Sequence, residues 1–412
     1  MGEGTLANPK KSIVALVMLA LPAAPVCAQD GVGFVFANTR QVNQVCFPYG
    51  EAGCSAVEAA VTGAHGVALG DVNGDSHLDA VFANVDVPNR VCFGNGFGGF
   101  SCGDIDAENP ISRDVALGDV NLDGNLDAVF ANPFEQDWLC LGDGTGAFSC
   151  SSFGPDDADS WAVALGDVNG DGYLDALIAS NGRDNQVCLG NGSTFSCSGF
   201  GSAGPTQDVA AGDVDNDGNL DCVFVNAEAI DIPGYAEVCR GDGSGHFSCV
   251  SASVDANSPI SVALGDINRD GILDAVFGAF DAQNQACLGN GTGDFNSFAC
   301  SEISPETNRS VGVAVGDVDG DGRLDAVFAN SLSQVNRYCR GDGDGGFECE
   351  DVGSDAFDTQ YVAIGNLMGE VQAEAIPSLS TAGIVLFILV LAWFGAERIR
   401  RTNRRFGETS IR

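Results

Sequence analysis

The stretch GDVNGDGYLDALIAS, Gly166 to Ser180, decides how the chain is read. It carries oxygen side chains at Asp167, Asn169, Asp171 and Asp175, the first three at every second position. This is half of a calcium-type loop, yet not an EF-hand. An EF-hand loop needs a Glu at its twelfth position and a helix on either side; counted from Asp167, the twelfth position is Ile178. The run ALIAS after Asp175 is short and apolar, which predicts a buried strand. The loop lies between two strands.

Near-copies begin at Gly70, Gly118, Gly212, Gly265 and Gly316, so an accident of an acidic chain is excluded. Their first aspartates and Asp167 are spaced 48, 48, 46, 53 and 51 residues apart. Such a period marks a propeller or a solenoid, whose units are too small to bury their own faces and must stack into one body. In the first complete unit, VALGDV from Val67 reads as a strand, and the acidic loop follows. LDAVFAN (Leu78–Asn84) is a second strand, a variable connection leads to NRVCFG, and GFSC follows a glycine turn. Four strands per unit describe a propeller blade. The ends complete one another. Gly31–Cys54 supplies a second, third and fourth strand without an acidic loop, and Thr359–Glu370 supplies a first strand with Asn366 in place of the aspartate. The expectation is an all-β, seven-bladed β-propeller over residues 30–370, with six complete blades and one closed from both termini.

The net charge is -39, and much of it falls in the repeated loops. Beside Asp167/Asn169/Asp171/Asp175 stand Asp71/Asn73/Asp75/Asp79, Asp119/Asn121/Asp123/Asp127, Asp213/Asp215/Asp217/Asp221, Asp266/Asn268/Asp270/Asp274 and Asp317/Asp319/Asp321/Asp325. Of these 24 side chains 20 are carboxylates, a crowding that calls for cations. Ca²⁺ takes six to eight oxygens at roughly 2.3–2.6 Å; four or five come from the side chains and the rest from the carbonyl at position seven and water. Up to six Ca²⁺ are expected, in a structural role. Ser76 stands in the first loop where the others have glycine. The propeller region contains no lysine, which argues against nucleic acid as a partner.

Lys10 and Lys11, the apolar run Ile13–Leu21 and the small residues before Gln29 read as a secretory signal peptide over 1–28, a lipid anchor on Cys27 being the competing reading. Export suits the cysteines. Fourteen fall into local pairs across glycine turns: Cys46/Cys54, Cys92/Cys102, Cys140/Cys150, Cys188/Cys197, Cys239/Cys249, Cys287/Cys300 and Cys339/Cys349. A hairpin sets each pair opposite, within bridging distance, whereas zinc sites use closer C-x2-4-C pairs. Cys222 is left over as a buried free thiol. Residues 371–383 read as a linker into a membrane helix with its core at 384–396 and a span of about 376–396, followed by a basic cytoplasmic tail over 397–412, which makes a permanent single-pass anchor one reading of this end.

The repeats resemble the FG-GAP and VCBS repeats of the integrin alpha-chain propeller and its bacterial relatives. The loop GDVNGDGYLDALIAS, the segment NQVCLGNG (Asn185–Gly192) and the turn glycines carry the match, which covers Gly31 to about Gly369. The resemblance implies a seven-bladed propeller with Ca²⁺ between the first two strands of a blade. The tail resembles the C-terminal sorting signals of Gram-negative bacteria, of the IPTL type with PEP-type signals as cousins. Ile376, Pro377, Leu379, Ser380 and Gly383 match, while Ser378 stands for Thr and Ala382 for Trp, so the resemblance makes 371–383 a linker and sorting motif. That implies a processing protease as a partner, a membrane held through the helix, and a propeller in the periplasm or at the cell surface.

Three functions compete. A surface binding or adhesion module for protein or carbohydrate would use the rim opposite the acidic loops, where Phe134, Trp138, Phe153, Trp161, Tyr235 and Phe280 fall. A hydrolase or lyase would need catalytic residues. The histidines are His65, His77 and His246, the last two sit in repeated turns, and no HExxH or nucleophile elbow is present. A structural matrix component would need no ligand. The RGD triplets at Arg240–Asp242 and Arg340–Asp342 occupy the register of LGD, LGN and FGN elsewhere and read as ordinary glycine turns.

Overall fold

A computed structural model describes residues 31–48, 53–105, 111–155, 159–227, 234–252, 258–293, 299–353 and 357–368. The expected signal peptide, linker, membrane helix and tail lie outside them. The described residues are strands and turns with no helix, and so none long and apolar enough to cross a membrane.

The first complete unit runs through strands Ala64–Gly70, Asp79–Asn84, Arg90–Gly94 and Phe100–Asp104 in one antiparallel meander. Gly70 pairs Asp79 across the acidic loop, Ala80 pairs Cys92, and Cys92 faces Cys102. The second strand is buried at every position, which is why its sequence reads as a continuous apolar run.

All seven expected disulfides close. Cys46 bonds Cys54, Cys92 bonds Cys102, Cys140 bonds Cys150, and Cys188 bonds Cys197. Cys239 bonds Cys249, Cys287 bonds Cys300, and Cys339 bonds Cys349. The two ends of each bridge differ. The third-strand cysteine is buried, while Cys150, Cys197, Cys300 and Cys349 on the fourth strands are half-buried and pack on the edge of a core cluster. The bridge thereby ties the outermost strand of a unit to its interior. Each short closed loop stabilises its hairpin by perhaps ~2–3 kcal/mol. Cys222 is free and buried. The chain ends join as expected: Val32–Asn38 pairs antiparallel with Thr359–Asn366, Phe34 opposite Ile364 and Phe36 opposite Val362.

The number of sheets corrects the expectation of seven separate four-stranded blades. Hydrogen bonding groups the strands into five sheets, three of four strands, one of six and one of eight. Connections expected as loops continue the ladders instead. Asp175–Gly190 and Phe195–Gly212 are single strands of 16 and 18 residues, paired through Asn181↔Pro205 and Arg183↔Gly204, so two units fuse. Phe280↔Arg309 and Ala282↔Asn308 fuse two more.

Packing runs from each unit to the next. Val81 and Val91 of the first unit meet Val115 and Phe130 of the second. Val223 and Val238 meet Val262 and Phe277 further on. Val327 and Tyr338 meet Phe34 and Phe36, and Val35 and Val45 meet Val67 and Phe82, so the succession returns to its start. Each fully buried Phe or Val contributes roughly 1.5–3 kcal/mol. A polar bracket repeats at the same junctions. Asn89 Oδ1 accepts the Asn84 N–H (2.9 Å) and its Nδ2 donates to Ser112 Oγ in the next unit (2.9 Å). Asn43–Thr62, Asn284–Ser310 and Asn336–Thr359 repeat it. The arrangement is an all-β, propeller-like fold.

Candidate metal centres and central cavity

Each acidic loop is folded by its own side chains. Asp167 Oδ1 accepts the N–H groups of Gly170 (2.7 Å) and Asp171 (3.1 Å), and Oδ2 accepts that of Gly172 (2.9 Å). Asn169 Oδ1 accepts the Asp171 N–H (2.8 Å), and Asp171 Oδ1 that of Tyr173 (2.9 Å). The loops at Asp71, Asp119, Asp213, Asp266 and Asp317 repeat the span from the first aspartate to the N–H five residues on.

The ninth position plays a part that the ligand pattern alone did not disclose. Asp175 is fully buried; its Oδ2 accepts the Val168 N–H (2.9 Å) and its Oδ1 accepts the Gly190 N–H (2.7 Å). It ties the loop to the turn after the third strand. Asp79, Asp127, Asp221, Asp274 and Asp325 do the same, Gly94 N–H to Asp79 Oδ1 at 2.8 Å being one case. Burial pushes these carboxyls up, to about 7 at Asp79 and Asp221 and about 6 at Asp127 and Asp175, against the pull of the two amides.

The donor set fits a hard divalent cation, but the expected ligands do not all converge. In two loops three carboxylates bring oxygens within 4.8 Å of one another: Asp213/Asp215/Asp221 and Asp317/Asp319/Asp325. The fifth-position aspartates Asp217 and Asp321 stand outside those groups. In Asn-type loops the asparagine amide adjoins the fifth-position carboxylate instead, as in Asn121 Nδ2 to Asp123 Oδ2 (3.0 Å). Asp270 is placed in the same way. Its Oδ2 accepts from Asn268 Nδ2 (3.0 Å), its N–H donates to Asp266 Oδ1 (3.0 Å), and its Oδ1 accepts the Ile272 N–H (2.9 Å). Asp270 is thus engaged in shaping its loop, and Asp266, Asp270 and Asp274 do not form a three-carboxylate cluster among the described residues. The first, third and fifth side chains stay near solvent, and their oxygens keep spare lone pairs. Two further groupings, Glu58 with Cys92 and Cys102 and Glu237 with Cys239 and Cys249, offer no thiolate, because those cysteines are bonded to each other.

At the other end of the first strands lies a cavity of about 780 Å³. Each of seven first strands contributes to its lining, through His65, Asp114, Trp161, Asp208, Ile260, Val311 and Tyr361, with Ala162, Gln207 and Gln360 beside three of them. Asp114 Oδ2 accepts the Val163 N–H (3.0 Å) of the following unit, and its Oδ1 lacks a well-formed hydrogen bond. Asp208 accepts the N–H groups of Val209 (2.8 Å) and Val262 (2.9 Å). Burial lifts both carboxyls to about 7 and pushes the Tyr361 hydroxyl well up. The Arg113 guanidinium lies over the Trp161 ring, 3.7 Å from its centroid.

The six aromatic residues expected on this rim divide. Phe134 and Phe280 are exposed, and Trp161 and Phe280 line the cavity. Tyr235 is half-buried. Phe153 is buried against Phe195, with centroids 4.8 Å apart, and Trp138 packs on the cluster around Phe130, so these two serve the core. Of the histidines, His77 contacts Asp75 within its loop and His246 contacts Ser244 within its turn. His65, which no repeat accounts for, faces the cavity.

The model of the FG-GAP-like repeat matches residues 119–178, 167–224, 213–277 and 275–328, together just over half of the 412 residues. No curated protein matches the chain. Among solved structures, an ancestral GH74 enzyme superposes with a TM-score of 0.54 at 11% identity, over 82% of this chain and 50% of that one. That likeness is one of fold. BBS1N in complex with ARL6DN, soaked with lead, gives a TM-score of 0.45 at 10% identity over 70% of this chain and 81% of that one. Repeat, fold and acidic loops agree: the chain belongs to the FG-GAP-like repeat family.

Proposed function

We propose that this protein is an exported, calcium-bearing propeller of seven blades that acts as a surface binding module for a protein or carbohydrate ligand. The observation that carries the reading is the central cavity. It is roomy, faces away from the acidic loops, and combines a stacked Trp161–Arg113 pair, the exposed ring of Phe280 and a buried carboxylate with hydrogen-bonding capacity to spare. Aromatic and arginine anchors around a few polar groups suit recognition. Asp114 and Asp208 each hold a neighbouring unit through its backbone amides, a packing role that favours binding over hydrolysis.

Seven blades are supported by the seven first strands around the cavity and by core packing that returns to its start. Calcium would be held by the first, third and ninth side chains, the three that converge in the loops at Asp213 and Asp317, with the fifth side chain completing the set from the solvent side. It would supply charge neutralisation to an otherwise self-repelling rim. Seven disulfides accord with export into an oxidising compartment. The leader over 1–28, the membrane helix near 376–396 and the sorting motif beginning at Ile376 complete the proposal, with a processing protease acting at that motif.

The test is capture on carbohydrate and protein arrays by the exported protein, comparing the wild type with W161A/F280A. Any ligand of the wild type is expected to bind the variant at least about tenfold more weakly. Unchanged binding sinks the cavity reading. No ligand on any array favours a structural matrix component.

A further inference from the structure

The six loops form two classes. Four have asparagine at the third position (Asn73, Asn121, Asn169, Asn268) and two have aspartate (Asp215, Asp319). The residue after the third-strand cysteine divides in the same way. Phe93, Leu141, Leu189 and Leu288 accompany asparagine, whereas Arg240 and Arg340 accompany aspartate.

The fold sets these two positions side by side. Arg340 Nε lies 2.9 Å from Asp319 Oδ2. In the fourth unit, a methyl group on Gly293 would meet Arg240 Cδ at 2.9 Å and Asp215 Cβ at 3.0 Å, so both side chains converge under the same turn. In the third unit the same spot beneath Gly245 is shared by Leu189, at 3.1 Å, and Asn169 Cβ, at 3.8 Å. Asp215 is pushed up by burial and by the Asp217 carboxylate, and the Arg240 charge opposes that push.

We infer that Arg240 and Arg340 are counter-charges for the extra carboxylate that the two Asp-type loops carry at their third position. Counting the ligand side chains and this arginine alone, four carboxylates and one guanidinium sum to three negative charges, as do the three carboxylates of an Asn-type loop; Arg269 in the fifth loop and Arg323 in the sixth lower the charge of those two further. In the two Asp-type loops a bound ion competes with an arginine for the third side chain. The inference rests on the calcium reading of the loops. It also accounts for the RGD triplets: the arginine serves the metal loop, and Asp242 and Asp342 shape the turn by accepting the N–H groups of Ser244 (2.9 Å) and Asp344 (2.8 Å). Arg323 pairs with Asp321 in the sixth loop and has no counterpart in the fourth, so the cleaner test is the pair Asp215–Arg240.

The experiment is a double-mutant cycle on the exported protein with R240L, D215N and D215N/R240L, read by melting temperature in chelator and across a calcium titration. R240L is expected to lower Tm in chelator by about 2 °C, as loss of one exposed pair in a chain of this size predicts. It should also tighten calcium at that loop by on the order of tenfold, the effect of removing a unit charge that faces a divalent ion across several ångströms of water. D215N/R240L rebuilds an Asn-type loop and returns both readings towards the wild type. R240L indistinguishable from the wild type, or a double variant equal to the sum of the singles, overturns the inference. Should R240L fail to fold, R240Q keeps most of the stem and removes the charge. If calcium leaves the wild type unchanged, the metal reading fails, and the coupling measured in chelator alone upholds or overturns the pairing.

Discussion

The two rims of this molecule are built on opposite plans. On one, six loops fold in the same way, each closed by hydrogen bonds from its own amides to its own carboxylates. On the other, a cavity takes side chains from seven first strands; His65, Trp161, Ile260, Val311 and Tyr361 all differ, and Asp114 and Asp208 alone among the seven named repeat a role, each accepting the N–H of the next unit's first strand. A rim made of copies does one task many times, and neutralising the crowded charge of each blade edge is such a task. A rim made of unlike residues can recognise one thing. On the proposed reading repetition serves stability and irregularity serves specificity, and the comparison can be broken at either rim.

The largest effect belongs to the acidic rim. At free calcium a hundredfold above its dissociation constant, each filled site contributes ~2.7 kcal/mol. Stripping six such sites lowers Tm by more than about 10 °C. An unchanged melting curve in excess chelator would remove the acidic loops from the stability side altogether. Next comes the difference within one loop. Asp175→Ala leaves the Val168 and Gly190 amides buried without an acceptor and costs ~3–5 kcal/mol, calcium or not. Asp171→Ala, at the solvent-facing fifth position, changes stability in chelator by less than ~1 kcal/mol. Equal losses in denaturant unfolding would mean that the two aspartates share one role.

At the cavity rim the expected effect is smaller and depends on pH. Burial raises Asp114 and Asp208 to about 7 in the folded protein, so the fold binds protons more tightly than the unfolded chain. Their stabilising contribution is complete below about pH 4 and is lost as pH rises through about 7. In calcium-free buffer Tm should fall between pH 4 and pH 8, the raised carboxyls Asp79, Asp127, Asp175 and Asp221 of the acidic loops adding to the slope over the same range. Asp114→Asn keeps an acceptor for the Val163 N–H and cannot ionise, so it should flatten part of that slope and melt higher than the wild type at pH 8. A slope identical to the wild type would place the titration elsewhere.

How far the sequence discloses each rim follows from the same contrast. The acidic loops, their flanking strands, the seven disulfides and the joined chain ends are legible because each feature recurs in register. The ninth aspartate was legible as a residue but not as a brace, since a ligand pattern and a capping pattern write the same letter. The asparagine ahead of the third strand recurs at Asn43, Asn89, Asn284 and Asn336, yet its partner is a serine or threonine in the next unit, more than a connection away. Fused sheets are not legible because Asn181–Asp184 and Gly201–Pro205 read as variable connections, and only the pairing of the two turns them into ladder. Trp138 and Phe153 looked exposed because nothing local distinguishes a connection that lies over a core from one that faces solvent. His65, Asp114, Asp208 and Tyr361 come together from separate strands, and no window of sequence contains them.

The smallest effect tests the copying itself, at the one loop that departs from it. Ser76 has φ 67°, in the left-handed region, at the position where the other five loops carry Gly124, Gly172, Gly218, Gly271 and Gly322. A side chain with a Cβ resists that conformation by about 1 kcal/mol, and glycine does not. The serine keeps the loop's hydrogen bond all the same, its N–H donating to Asp71 Oδ2 at 2.8 Å, so the geometry is imposed by the aspartate and not chosen by the residue. Ser76→Gly should therefore stabilise the protein by up to ~1 kcal/mol, less whatever the added freedom gives the unfolded chain. Calcium should enlarge the gain if the first loop binds as the others do, because the relieved strain then acts on a site that must hold its shape. A variant no more stable than the wild type, with or without calcium, would mean that Ser76 adopts this backbone at no cost and that the first loop has ceased to be a copy of the rest.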